Sequence, residues 1–184
     1  DGEAGAFDRL YQRHKGGLYR YLLRQCGNRG TTEELFQDVW MNLIRARAGY
    51  VDQGRFAAWL YRIAHNRLMD HYRAQPGGVP RSFDDDDGAL LASLEALPDG
   101  PGADPATRAQ GRQEARLVLQ WIERLPPAQR EAFVMQQEAG MSVEEIAQAT
   151  GVTRETAKSR LRYAIASLRA ARAAAAAAPA SATT

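Results

Sequence analysis

The stretch SVEEIAQATGVTRETAKSRLRYAIASLRAAR, from Ser142 to Arg172, decides the fold of the C-terminal part of the chain. Its apolar periodicity predicts a short helix over residues 143–149 and a longer basic helix from about Thr153. Ser142 and Glu145 have the spacing of a capping box, which satisfies backbone donors at a helix start. Gly151 lies at the break, where a turn between two helices needs a residue that tolerates positive φ. The pattern is typical of a helix-turn-helix.

The longer helix has one apolar face and one basic face. At helical spacing, its packing face comprises Ala157, Leu161, Ala164, Ile165 and Leu168. The outer and flanking faces carry Arg154, Glu155, Thr156, Lys158, Ser159, Arg160, Arg162 and Tyr163. Basic helices also occur on ordinary soluble surfaces, and a helix pair can simply close a bundle. The capping box and the glycine at the turn favour the alternative, a recognition helix in a DNA major groove.

Composition limits the remaining possibilities. A chain of 184 residues with net charge +2 can hold one large domain or two small ones. The single cysteine, Cys26, excludes an internal disulfide, and no Cys/His cluster has zinc spacing. No apolar run approaches the roughly 20 residues that span a bilayer, and no signal peptide opens the chain. We therefore expect a soluble cytoplasmic protein without membrane contact, metal or other cofactor.

Three helices are predicted in the N-terminal part, over about residues 4–28, 31–47 and 56–73. The second begins at a further capping-box pattern, Thr31 with Glu34. The third mixes large apolar side chains with a basic set, since Arg55 to Arg73 contains four arginines and one aspartate. Aromatic side chains among arginines suit contact with phosphates and unstacked bases, although an aromatic stripe is more often core. On these residues alone, both interpretations of the third helix stay open.

Between the two helical parts lies a segment with a different character. From Ala74 to Gln113 the chain has seven acidic residues against three arginines, and its prolines and glycines interrupt helical periodicity. This composition predicts a flexible acidic linker over residues 75–110. Helical periodicity returns in a four-helix unit at residues 111–172, and an alanine-rich tail at 173–184 is expected to be disordered. The predicted class is all-α, with two small helical domains joined by the linker.

Three stretches together resemble the extracytoplasmic-function (ECF) sigma factors of the bacterial sigma-70 family. GRFAAWLYRIAHNRLMDHYR (Gly54 to Arg73) resembles the promoter-melting segment of region 2, and TEELFQDVWMNLIRA (Thr32 to Ala46) resembles its polymerase-binding helix. IERLPPAQREAFVMQQEAGMSVEEIAQATGVTRETAKSRLRYAIASLR (Ile122 to Arg169) is similar to region 4. The resemblance implies a region 2 helical bundle at residues 1–74 and a four-helix region 4 with the helix-turn-helix at 111–172.

The resemblance also implies partners and site residues. Core RNA polymerase, promoter DNA and an anti-sigma factor are the expected partners. The outer residues of the basic helix named above would contact the −35 element. The −10 element would be contacted by Arg62, Asn66, Arg67, Asp70 and Arg73, and polymerase by Gln37, Asp38 and Asn42. The loop Gly49 to Gly54 would hold a flipped −10 base.

Two other classes of protein fit parts of the sequence. A helix-turn-helix regulator with an N-terminal effector domain would need no polymerase and would dimerise on a palindrome. A signalling module would act mainly through protein contacts. Catalysis is the weakest hypothesis, because His14, His65 and His71 are not arranged with a nucleophile or a metal-ligand partner.

Overall fold

The computed structural model describes residues 4–51, 54–75 and 105–177. Across these residues the chain is helical, with a short 3₁₀ turn at Arg47–Gly49 after the second helix. The α-helices are α1 (Ala4–Cys26), α2 (Arg29–Ala46), α3 (Phe56–Ala74), α4 (Pro105–Glu123), α5 (Pro127–Ala139), α6 (Val143–Thr150) and α7 (Arg154–Ala177). None of the helices in this part of the chain is both long and apolar enough to cross a membrane. Most of the predicted acidic linker lies outside the described residues, as does the tail from residue 178.

The start of α2 differs from the predicted capping box. The N-cap is Asn28, whose extended backbone lets its side-chain oxygen accept a hydrogen bond from the Thr31 backbone N–H at 3.0 Å. The Thr32 hydroxyl donates to the Asn28 carbonyl at 2.7 Å. The prediction that Thr31 caps this helix was therefore wrong, because an asparagine three residues earlier is an equally good N-cap and starts the helix sooner.

Two helices extend beyond their predicted limits. α4 begins at Pro105, inside the segment expected to be linker, since proline is tolerated in the first turn of a helix. α7 continues to Ala177, inside the segment expected to be disordered, because alanine has the highest helix propensity. α5 begins at Pro127 as expected and ends at Gly140, whose φ is +64°.

One hydrophobic cluster runs through both halves of the chain. α1, α2 and α3 pack on one another, and α4, α5 and α6 pack on α7. In addition, α5 lies against α1 and α6 lies against α3. The cluster accordingly includes Leu22 and Leu60 from the first half, together with Met135, Ile146 and Leu161 from the second. The two units expected from the sequence are thus in direct contact in this structure.

Three tyrosines are buried in this core, and burial raises the pKa of Tyr21, Tyr61 and Tyr72. Above pH about 10 the unfolded chain can ionise these phenols while the folded chain cannot. Stability should therefore be unaffected by these groups below pH 10 and should fall as the pH rises beyond it.

In a titration followed at 295 nm, we expect three of the seven tyrosines to ionise only together with cooperative unfolding. The same titration in guanidinium chloride provides the unfolded reference. Ionisation of all seven tyrosines with unchanged circular dichroism would contradict the packing described here.

Candidate nucleic-acid interface

The turn between α6 and α7 has the local geometry that a helix-turn-helix requires. The Ser142 hydroxyl accepts from the Glu145 backbone N–H at 3.2 Å, and the Glu145 carboxylate accepts from the Ser142 backbone N–H at 2.8 Å. This confirms the capping box. Gly151 has φ +68°, in the left-handed region that favours glycine, and its N–H donates to the Ala147 carbonyl. The sequence of these few residues determines where α6 begins and where it ends.

Loss of the capping box should weaken this helix measurably. We expect Ser142→Ala to lower the free energy of unfolding by about 1 kcal/mol, because orphan donors at the start of α6 lose their partner. Chemical denaturation measures this change. Ser167→Ala, at an exposed position inside α7, is the matched control and should leave stability unchanged or slightly raised. Equal losses in both variants would refute the role of the cap.

The inner face of α7 is buried as its spacing predicts. Ala157, Leu161 and Ala164 are each at most 4% exposed, and Leu168 packs against the cluster. Because these positions anchor the helix, the opposite face is presented to solvent. Six of the predicted −35 residues are exposed and two, Ser159 and Arg160, are half-buried at the flank; the exposed six are Arg154, Glu155, Thr156, Lys158, Arg162 and Tyr163.

Charges on α7 are not equally available. Arg154 forms ion pairs with Glu144 of α6 and with Glu155. The hydrogen bond from Arg154 lowers the pKa of the Glu144 carboxyl. Arg162 instead lies over the Tyr163 ring, with its guanidinium carbon 5.1 Å from the ring centroid. Within the described residues, Lys158 makes no salt bridge. Lys158 and Arg162 are therefore exposed cations of this face that an anionic partner can reach without displacing a carboxylate.

On α3 the structure groups most, but not all, of the predicted −10 residues. Arg62, Asn66, Asp70 and Arg73 are exposed and recur at three- and four-residue spacing, so they share one stripe of the helix. Asp70 and Arg73 form an ion pair within this stripe. Arg67 lies away from it, half-buried, with its Nη2 2.7 Å from the Asp38 carboxylate of α2. The geometry thus separates Arg67 from the other four.

A groove of about 350 Å³ opens beside this stripe, between α3 and the chain around Tyr50. The Tyr50 ring stacks on Trp59 with centroids 4.4 Å apart and an interplanar angle of 29°. The groove is lined by Gly49, Tyr50, Val51, Arg55, Ala58, Trp59, Arg62, Gln148 and Ala149. Tyr50 lies in the loop that was expected to hold a base, whereas Trp59 belongs to α3; residues 52 and 53 of that loop are outside the described part. Nothing in the sequence pattern indicated that α6 would line it.

The predicted polymerase-binding residues lie on α2. Gln37 is exposed, while Asp38 and Asn42, one turn apart, are half-buried. Asp38 is already engaged by Arg67. Met41 is 48% exposed beside them, so the surface combines a carboxylate, two amides and an apolar side chain.

A polar network that the sequence pattern did not indicate joins the two halves. Glu138 of α5 accepts from Arg20 of α1, and this hydrogen bond raises the pKa of Arg20. Glu131 accepts from the Tyr21 hydroxyl at 2.7 Å and lies 2.7 Å from Nδ1 of His65. His65 therefore faces α5 and not the exposed stripe of α3. Glu131 and Glu138 are seven residues apart on α5, so they lie on one side of the helix, but this spacing alone does not indicate partners on α1 and α3.

Comparison with known proteins places this arrangement in a family. Sequence profiles of Sigma-70 region 2 and of Sigma-70, region 4 match residues 10–76 and 115–168. The RNA polymerase sigma factor CarQ of Myxococcus xanthus is 34% identical over 160 residues, which cover 87% of this chain and 85% of CarQ. The chain belongs to the ECF sigma factors of the sigma-70 family.

Other ECF sigma factors match over different shares of their length. The chain is 30% identical over 153 residues to the ECF RNA polymerase sigma factor BldN of Streptomyces coelicolor, and the match covers 82% of this chain but 54% of BldN. It is likewise 28% identical to the ECF RNA polymerase sigma factor SigK of Mycobacterium ulcerans, with coverages of 91% and 86%. The chain thus spans little more than half of BldN.

Two solved structures share the fold. The sigma factor RpoE from Bartonella quintana, crystallised with the anti-sigma factor NepR, matches with TM-score 0.65 and 20% identity over 91% of this chain and 96% of that chain. CnrH in complex with the cytosolic domain of CnrY matches with TM-score 0.61 and 24% identity, covering 94% and 91%. The all-α fold class expected from the sequence is confirmed.

Proposed function

We propose that this ECF sigma factor binds core RNA polymerase, recognises −35 and −10 promoter elements and helps to open the DNA. The observation that carries the proposal is the presence of two separate exposed cationic surfaces in one chain, the outer face of α7 and the α3 stripe. A single duplex-binding module needs only one such surface. Two of them, each from a different sigma-70 region, suit two elements of one promoter.

The α7 face would enter the major groove at the −35 element. Its N-terminal residues are the ones that reach base edges in a helix-turn-helix, and Thr156 and Lys158 lie there. Arg160 and Arg162 follow one turn later, where phosphates flank the groove. Glu155 can accept from a cytosine amino group, although it also places a favourable negative charge in the first turn of the helix.

The α3 stripe would engage the −10 element. Asn66 is exposed at its centre and offers an amide that can pair with a base edge, with Arg62 and Arg73 on either side for phosphates. Asp70 would lie next to the bases, where its carboxylate can only accept hydrogen bonds. The Tyr50–Trp59 stack beside Arg62 is a surface on which an unstacked base can be placed. Contacts of this kind offset the cost of unstacking without a nucleotide-driven motor.

Polymerase would dock on α2. Asp38, Gln37 and Asn42 offer one negative charge and two amides to a basic partner surface. Asp38 forms an ion pair with Arg67 in this structure. A basic group of polymerase that binds Asp38 would replace Arg67 as its partner and leave the Arg67 guanidinium available to the α3 stripe. An anti-sigma factor is a further expected partner, because the sigma factor RpoE from Bartonella quintana, which shares the fold, was crystallised with one.

Association with polymerase is the step to test first. We expect purified core RNA polymerase to bind the labelled chain in fluorescence anisotropy, with promoter-specific DNA binding only when both are present. Gln37→Ala combined with Asn42→Ala should weaken polymerase binding, while Gln120→Ala, an exposed glutamine on α4, serves as the control. Tight duplex binding by the chain alone, unaffected by polymerase, would contradict the proposal and favour a regulator.

A further inference from the structure

Arg154, the first residue of α7, is held by carboxylates from two helices. Its Nε–H donates to the Glu144 carboxylate of α6, and its Nη1 donates to the Glu155 carboxylate at 3.2 Å. Glu144 lies in the first turn of the helix that precedes Gly151, so its ion pair with Arg154 spans the turn of the helix-turn-helix. The guanidinium is therefore anchored both by its own helix and by the neighbouring one.

The three side chains of this cluster lie on the surface. Those of Arg154, Glu144 and Glu155 are 56%, 50% and 73% exposed. Ion pairs with this exposure contribute little to the stability of a fold. Glu144 is also not needed to cap α6, because its neighbour Glu145 closes the capping box with Ser142. The cluster is therefore better suited to contact with a ligand than to support of the fold.

The outer edge of the Arg154 guanidinium is left available by this arrangement. Of the five N–H groups of an arginine, Glu144 takes the one on Nε and Glu155 takes one of the two on Nη1. Within the part of the chain that the structure describes, these are the hydrogen bonds that Arg154 makes. The end of the fork, Nη1 and Nη2, can still donate two parallel bonds. Two such donors match O6 and N7 of guanine in the major groove.

The cluster has an excess of negative charge, since two carboxylates surround one guanidinium. The hydrogen bond from Arg154 lowers the pKa of Glu144, so this carboxylate stays ionised at neutral pH. Negative charge at the start of α7 repels DNA phosphates whatever the base sequence. Binding at this point is favourable only where bases supply partners, such as guanine for the arginine or the cytosine amino group for a carboxylate.

We propose that Glu144 is a positioning residue for −35 recognition, which holds Arg154 by Nε and directs the outer edge of its guanidinium toward a guanine at one position of the element. The proposal rests on the function proposed above and adds a determinant of its specificity. Glu144 fixes the orientation of Arg154. It also keeps Arg154 from pairing with phosphates, a contact that would favour every sequence alike.

Base preference at each −35 position is the quantity to measure. Holoenzyme assembled with each variant is bound to a promoter library with a randomised −35 element, and the affinities for the four base pairs are compared. We expect the parent to prefer guanine at one position by about tenfold or more, as a single bidentate contact provides. Arg154→Ala should reduce this preference to about twofold or less and leave the preferences at other positions unchanged.

Glu144→Gln keeps the size of the side chain but removes its charge. We expect it to lower the same guanine preference about threefold or more, because Arg154 loses its fixed orientation. Binding to unrelated duplex should become tighter, with a salt dependence steeper by about 0.9, since the released Arg154 can neutralise a phosphate. Glu144→Asp retains the carboxylate and should recover part of the preference. Glu33→Gln, at the exposed Arg29–Glu33 pair of α2, is the matched control and should change no preference.

Combining Glu144→Gln with Arg154→Ala tests whether one residue acts through the other. The combined variant should have the base preferences of Arg154→Ala alone. Equal weakening of all −35 sequences by Arg154→Ala would show that Arg154 binds a phosphate and would overturn the proposal.

A Glu144→Gln holoenzyme with unchanged guanine preference would overturn it as well. If the thermal unfolding midpoint of that variant also falls, the role of Glu144 is to stabilise α6. Failure of the parent holoenzyme to bind any promoter of the library would instead refute the proposed function.

Discussion

Replacing both Lys158 and Arg162 with alanine is expected to weaken −35 recognition by the holoenzyme about 100-fold. These two cations lie on the exposed face of α7, and neither is held by a carboxylate in the part of the chain that the structure describes. A base or phosphate contact of this kind contributes about 1–3 kcal/mol. The double variant should also bind DNA with a weaker salt dependence. In a plot of the logarithm of the binding constant against the logarithm of salt concentration, the slope should become shallower by about 0.9 for each DNA phosphate that the protein no longer neutralises.

Arg169→Ala is the control for this prediction. Arg169 is exposed on the same helix, several turns beyond the helix-turn-helix. Its removal changes the net charge but should leave footprints on the −35 element nearly unchanged. Arg169→Ala is to be compared with Lys158→Ala and with Arg162→Ala, each made alone. If it weakens binding as much as either of them, the effect comes from net charge. The assignment of a recognition face to Lys158 and Arg162 is then wrong.

Replacing Asn66 with alanine is expected to reduce promoter opening about tenfold and duplex association by less than threefold. The amide lies at the centre of the exposed α3 stripe, where it can pair with the edge of an unstacked base. Duplex DNA does not offer that edge before melting, so loss of the amide should act mainly on the later step. Permanganate reactivity of unpaired thymines measures opening, and electrophoretic mobility at low temperature measures association.

Gln120→Ala provides the comparison for Asn66→Ala. This change removes a similar amide from an exposed position on α4, outside the proposed −10 surface. It should change neither promoter opening nor duplex association. Equal loss of opening and association in Asn66→Ala would show that this residue acts in initial binding. The proposed division between recognition and melting on α3 would then have to be abandoned.

The helix-turn-helix could be predicted from sequence because local rules determine it. The Ser142–Glu145 capping box, the positive φ of Gly151 and the burial of Ala157 and Leu161 all follow from spacing within a few residues. The start of α2 was predicted less well, since Asn28 and Thr31 are both acceptable caps and only the packed chain selects one. On α4, Leu117 and Val118 are exposed although both are apolar, whereas their neighbour Leu119 is buried, and only the packed chain makes that choice.

The arrangement between halves could not be predicted from sequence. The glutamates on α5 look like ordinary surface residues until α1 supplies Arg20 and Tyr21 more than a hundred residues earlier. A glycine inside a helix lowers its propensity, whereas the approach of Gly17 to the Glu138 carbonyl of α5 depends on the same long-range packing. The family resemblance grouped Arg67 with the −10 residues, but its orientation toward Asp38 depends on how α2 and α3 meet. Contacts between residues that are far apart in the sequence leave no periodic pattern in it.

Run-off transcription with purified core polymerase, with and without this chain, on a pool of genomic promoter fragments tests the central claim most directly. We expect transcripts that require the chain and whose templates share two motifs at a constant spacing. Mutation of either motif should abolish the corresponding transcript. Absence of chain-dependent transcripts, together with tight binding of the chain alone to a palindrome, would contradict the account and identify a regulator.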